Sequence, residues 1–128
     1  TDLELFERHG KNVIEKTFVS AEEAIKEALK QLCVQEGEYE TAAILTMRES
    51  EAKKIYKVLK KEGRQVSYID RDSARFRKGL TVTTFYMAKG LEFDQVFAIY
   101  SGKEDAFIKQ AKYICATRAL HELYMYEV

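Results

Sequence analysis

Residues 83–93 read TTFYMAKGLEF and set a cation (Lys89), a glycine (Gly90) and a carboxylate (Glu92) close together. A plain strand needs no such cluster: glycine allows a turn that other residues resist, and the two charges beside it could read a ligand. The residues ahead of the cluster, Thr83 to Tyr86, are β-branched and aromatic, as in a strand. Two arginines also stand beside apolar runs: Arg48 follows TAAILTM (41–47), and Arg118 lies in ATRA, late in a helical pattern.

These residues need a frame, and the hydrophobic pattern predicts one. VIEKTFV (13–19) reads as a strand. Residues 20–33 read as a helix with an apolar stripe of Ala21, Ala24, Ile25, Ala28, Leu29 and Leu32. Ser20 and Glu23 have capping-box spacing. TAAILTM is a short apolar run, as in a buried parallel strand. A second helix is predicted from about 49 to 62, with Ala52, Ile55, Tyr56 and Leu59 inward, Lys60 and Lys61 in its last turn and Gly63 as its stop. Strands are expected at 65–70, 80–86, 95–100 and 123–128, and a helix at 104–120. Residues 70–78 (DRDSARFRK) form a polar, basic loop. Strands alternating with helices imply an α/β fold with a mostly parallel sheet covered on both faces. Ligands of such sheets bind beyond the carboxyl ends of the strands. That rule directs attention to Arg48, Lys89, Gly90 and Glu92.

The 128 residues predict a single domain, and 46% hydrophobic residues are enough for a core. Lys+Arg and Asp+Glu both number 21, giving a formal net charge of zero, which argues against a protein built to coat nucleic acid. Cys33 and Cys115 have no metal-binding spacing and are expected as reduced, buried thiols of a cytoplasmic protein. No run approaches a membrane span and no signal peptide opens the chain. The missing initiator Met points to an excised piece. The chain lacks a G-x-x-x-x-G-K-[ST] loop and a G-x-G-x-x-G pattern, so it is not expected to hold a nucleotide tightly by itself. His9 and His121 read as surface or packing residues. Lys53, Lys54, Lys57, Lys60 and Lys61 read as the wet face of a helix.

Three segments, in order, resemble the second RecA-like motor domain of UvrD/Rep-like superfamily 1 DNA helicases. AAILTMRESEAKKIYKVLKKEG looks like motif IV (about 41–50), LTVTTFYMAKGLEFDQVFAIY like motif V (about 80–96) and YICATRALHELYMY like motif VI (about 113–120). FERHG and ATRALHEL give it the flavour of the helicase IV-like branch. The resemblance implies a RecA-like three-layer sandwich and an excised part of a longer ATP-dependent helicase or translocase. The first motor domain would supply the Walker loop and hold Mg²⁺, so this fragment alone is expected to be inactive and to carry no tightly bound cofactor.

By the same resemblance, Arg118 and Arg48 reach the γ-phosphate of ATP across the interdomain cleft. Glu92 bonds the ribose, Gly90 makes the turn beside it, and Met47 stands where relatives carry an adenine-stacking tyrosine. Thr84, Tyr86 and Lys89 are implied to face single-stranded DNA, although many relatives have histidine where Tyr86 stands. The implied partners are the first RecA-like domain and single-stranded DNA, with 3′ to 5′ polarity suggested and no membrane. The subdomain that larger relatives insert between motifs IV and V is absent or very short. A rival reading keeps the fold as a non-catalytic interaction module in a DNA repair or helicase–nuclease assembly. Apart from the resemblance, Arg48 also fits a solvated helix start, Arg118 amphipathic cover, Glu92 a surface carboxylate and Tyr86 an edge aromatic.

Overall fold

The computed structural model describes residues 12–32, 37–70, 78–101 and 106–128. Expectations for His9, Cys33 and the basic residues Arg71, Arg75 and Arg77 fall outside these. The described elements run β1 (Asn12–Thr17), α1 (Ala21–Gln31), β2 (Thr41–Thr46), α2 (Glu49–Lys61), β3 (Val66–Tyr68), β4 (Gly79–Thr84), β5 (Phe93–Tyr100), α3 (Ala106–Arg118) and β6 (Ala119–Glu127). The six strands form one sheet in the order β1-β6-β5-β2-β4-β3, and every pairing is parallel.

Strand periodicity divides the core into two layers. Ala42 and Ile44 of β2 point to one face, where they join Ala24 and Ala28 of α1 and Ala52, Ile55 and Leu59 of α2. Ala43 and Leu45 point to the other, with Ala111, Cys115 and Ala116 of α3. Phe97 and Tyr124 stack on the first face with ring centroids 4.5 Å apart. The result is a three-layer α/β sandwich: its parallel sheet covered on both faces is what the alternating pattern predicts, and its RecA-like form is what the resemblance implies.

The helix ends obey the local signals. Ser20 Oγ accepts from the Glu23 N–H at 3.3 Å, satisfying a donor that the first turn of α1 would leave orphaned. At the end of α2, Gly63 has φ +83°, and the N–H groups of Gly63 and Arg64 bond back to the carbonyls of Lys60 and Leu59. This is a Schellman stop, for which the left-handed conformation favours glycine.

Among the boundaries that differ from the sequence pattern, two bear on the site. β4 ends at Thr84, so Phe85 and Tyr86 belong to the following turn. The last helix ends at Arg118 and β6 starts at Ala119, whereas the apolar pattern carried the helix to Leu120. Ala119 pairs with Phe93, and this ladder contact outweighs the helical propensity of Ala119 and Leu120.

Candidate functional site

The segment between β4 and β5 decides where the site residues lie. Both strands run parallel to β2, so the chain must return from the carboxyl edge of the sheet to its amino edge. It does so in residues 85–92. The Phe85 N–H bonds to the Thr46 carbonyl at the carboxyl edge, 3.0 Å away. Ala88 and Leu91 then close successive turns onto the carbonyls of Thr84 and Ala88. Buried Phe85 and Ala88 pin this strap on the α3 face. Gly90 has φ +84°, and a Cβ there would meet nothing within 4 Å, so backbone conformation alone calls for glycine.

The strap therefore sends its functional groups to different edges. Tyr86 and Lys89 are exposed just beyond the end of β4, with Lys89 Nζ 4.2 Å from the centre of the Tyr86 ring. Tyr86 is 58% exposed, an unusual setting for a large aromatic side chain. Thr84 is buried, and its hydroxyl accepts from the Met87 N–H at 3.2 Å. It caps the turn, and the expectation that it faces DNA is corrected on that ground. Glu92 is exposed, one residue before β5, at the amino edge.

Arg118 joins Glu92 there. Each stands one residue ahead of a paired position, Ala119 with Phe93. The guanidinium of Arg118 is half-buried. Nη1 donates to the Leu91 carbonyl at 3.4 Å, and Nε and Nη2 donate to Thr117 Oγ1 at 3.3 and 3.2 Å. Thr117 is itself fixed by donating to the Ile114 carbonyl at 2.8 Å. All these acceptors are neutral, and no carboxylate among the described residues pairs with Arg118. The group keeps its positive charge while its orientation is set. That combination suits an incoming anion.

Arg48 and Met47 lie elsewhere. Arg48 is the N-cap of α2, beyond the carboxyl end of β2, with an exposed side chain and a backbone N–H that bonds Glu51 Oε1 at 2.9 Å. Met47 packs at the same edge, against the α3-side core. Thr46 is level with Ile99, six positions along β5 from Phe93. At about 3.3 Å per residue, the two levels are about 20 Å apart. Arg48 also begins the helix on the opposite face from α3. Arg48 and Arg118 therefore do not converge on one phosphate, and Met47 does not share a nucleotide site with Glu92. Both expectations were carried over from the family resemblance, and the two edges of this sheet separate the residues they join.

The amino edge also holds polar contacts that sequence reasoning missed. Asp94 Oδ2 accepts from the N–H groups of Glu40 and Thr41 at 3.0 and 3.1 Å and from Thr41 Oγ1 at 3.2 Å. His121 Nε2 lies 3.5 Å from Asp94 Oδ1, and its ring stacks on Tyr39. Gln95 is fully buried, its amide donating to the Gln31 carbonyl and Glu122 Oε1 at 2.9 and 2.7 Å. Tyr124 also donates to Glu122 Oε1, at 2.7 Å, and burial is the main cause raising its phenol's pKa. The usable signals were Thr117 beside Arg118 and a glutamine opening the apolar run QVFAIY. Among the described residues, no three His, Cys, Asp or Glu side chains gather as a metal set. Nor is any described helix long and apolar enough to cross a membrane.

The C-terminal domain of a possible DNA helicase from Lactobacillus plantarum WCFS1 is 30% identical to this chain, with a TM-score of 0.69. The match covers 93% of this chain and 74% of that one. The chain belongs to this family of helicase C-terminal domains. No family model matches it, and no curated protein matches it significantly. In this helicase C-terminal domain, one edge of the sheet carries the oriented arginine beside a carboxylate, and the other carries the exposed aromatic–lysine pair.

Proposed function

We propose that the chain is the second motor domain of an ATP-dependent DNA helicase or translocase of the UvrD/Rep-like kind. Its amino edge completes an interdomain ATP site, and its carboxyl edge touches single-stranded DNA. The observation that carries this reading is Arg118, a guanidinium oriented by Thr117 and the Leu91 carbonyl, with no carboxylate partner among the described residues, at the same edge as Glu92.

ATP with Mg²⁺ supplies the phosphoanhydride that is cleaved, and the metal is assigned to the first motor domain. Arg118 supplies positive charge where negative charge spreads over the transferred phosphoryl group. Glu92 accepts protons from the ribose hydroxyls and, by repelling phosphate, sorts the sugar end of the nucleotide from the phosphate end. Because Arg118 belongs to a different domain from the Walker loop, hydrolysis waits on closure of the cleft. The strap of residues 85–92 links Glu92 to Tyr86 and Lys89, which offer a stacking face and a cation to a DNA strand. The nucleotide edge and the DNA edge are thus joined by one short covalent segment.

The test is Arg118→Ala in the full-length parent. ATP hydrolysis should fall roughly a thousandfold, while single-strand binding stays near normal. Wild-type turnover in that variant, or robust ATP hydrolysis by the 128-residue chain alone, rules the assignment out.

A further inference from the structure

At the amino edge too, but at the β4–β3 side of the sheet and not beside β5 and β6, lies a concavity of about 400 Å³, lined by residues that include Lys60, Arg64, Ser67, Lys78 and Leu80. It sits where α2 ends and β3 and β4 begin, on the α1–α2 face. α3 covers the other face. Three cations meet here in a chain whose formal net charge is zero.

None of the three is neutralised by a strong pair. Lys60 and Lys78 are exposed and have no carboxylate within ion-pair distance among the described residues. Arg64 approaches only Glu62 among the described residues, at 3.9 Å between partly exposed groups, a contact of little strength. Among the described residues, no acidic side chain lines the concavity. The carboxyl end of α2 opposes an anion there with about half a negative charge. Two of its carbonyls, those of Leu59 and Lys60, are already used by the N–H groups of Arg64 and Gly63. Three full positive charges outweigh that residue of dipole, and a concave wall concentrates their field. The Ser67 hydroxyl adds a neutral donor, and Leu80 and Val66 add apolar lining.

We infer that this basic concavity, formed by Lys60, Arg64 and Lys78, is a second phosphate-binding site that holds the backbone of a nucleic-acid strand. The inference rests on the nucleic-acid function proposed above, and it gives Lys60 a role beyond the wet face of its helix. Such contacts position a strand without reading its sequence.

The experiment measures anisotropy of a labelled oligothymidylate with the 128-residue chain across a salt series. Lys60→Ala, Arg64→Ala and Lys78→Ala are combined in one variant. Lys26→Ala, Lys57→Ala and Lys109→Ala are combined in a control with the same charge change at exposed positions elsewhere. The pocket variant should bind roughly tenfold more weakly near 50 mM salt, and its log–log salt slope should shrink by about two. The control should stay within about threefold of wild type, with a smaller slope change. Equal behaviour of the two variants overturns the inference. A titration with inorganic pyrophosphate separates the sources of phosphate. If the pocket variant loses pyrophosphate binding but keeps oligonucleotide binding, the strand assignment is overturned. Tyr86→Ala in the same assay reports the other edge independently. Loss of binding there but not in the pocket variant sinks this inference and leaves the proposed function standing. No oligonucleotide binding by the wild-type chain overturns both.

Discussion

Arg118 donates to the main-chain carbonyl of Leu91 at 3.4 Å, tying the end of the last helix to the residue before Glu92. Arginine and carboxylate thereby share the amino edge, although 26 positions separate them in the chain. Arg48, which looks equally well placed after a strand, is at the other edge and on the other face.

That separation makes the two arginines distinguishable. In the full-length parent, Arg48→Ala should leave ATP turnover within about twofold of wild type, as expected for an exposed substitution. Arg118→Lys should rescue little of the loss caused by Arg118→Ala, because lysine lacks the planar fork that meets Thr117 and Leu91 together. Steady-state ATPase assays on the three variants check this, and equal defects at Arg48 and Arg118 contradict it.

Thr117 positions the arginine. Its oxygen receives two N–H groups of Arg118 while its own proton is held by the Ile114 carbonyl. Thr117→Val should lower kcat roughly tenfold, about 1.4 kcal/mol of transition-state stabilisation, with KM little changed. Thr117→Ser should recover most of it. A defect confined to KM, or no recovery with serine, would assign Thr117 a packing role only.

The exposed Tyr86 should act in binding and not in folding. Tyr86→Ala is expected to weaken single-strand binding by about 1–3 kcal/mol and to shift unfolding free energy by less than about 0.5 kcal/mol. Anisotropy and urea denaturation on the same preparation test both halves.

Asp94 has the opposite character. Its carboxylate holds the N–H groups of Glu40 and Thr41 and the Thr41 hydroxyl, clasping the starts of β2 and β5. Asp94→Ala leaves those donors unmatched and should destabilise the fold by about 2–3 kcal/mol. A change below about 0.5 kcal/mol in urea denaturation would show that the clasp is dispensable.

Alkaline pH should destabilise the domain by a definable route. Burial pushes the Cys115 thiol from 9.0 up to about 12. A group whose folded value is raised lends stability that is whole below the unfolded value and is lost as pH climbs through the folded one. The Cys115 contribution therefore fades between about pH 9 and 12. Burial also raises the phenols of Tyr124 and Tyr126 above 10.0, adding to the loss further up. Thermal melts should show Tm falling above about pH 9, with the first part of the fall removed in Cys115→Ala. Parallel curves for wild type and variant across that range would exclude Cys115 as the source.

Much of the frame was legible because it is written locally. Ser20 before a helical stripe, Gly63 after one, and the alternation of short apolar runs with amphipathic helices each follow from the needs of nearby backbone. The parallel α/β class followed in turn. The end of the last helix was not legible, because Ala119 and Leu120 fit either state and only the pairing of Ala119 with Phe93 chooses. The basic concavity was not legible either. Lys60, Arg64 and Lys78 come from a helix end, the turn after it and the approach to β4, and only the sheet brings them together.

Sequence by itself determined which groups are present: a permanent cation at Arg118, a carboxylate at Glu92, a turn-permitting glycine between Lys89 and Leu91, and an aromatic at Tyr86. Tertiary structure alone decided which of them meet. The reason is the strap of residues 85–92. A parallel sheet obliges the chain to recross its own length before β5 can begin, so residues that follow a strand closely in sequence can arrive at the opposite edge. Tyr86 stays where β4 ends, Glu92 is carried about 20 Å back, and it is there that Arg118, delivered by a different helix, stands beside it.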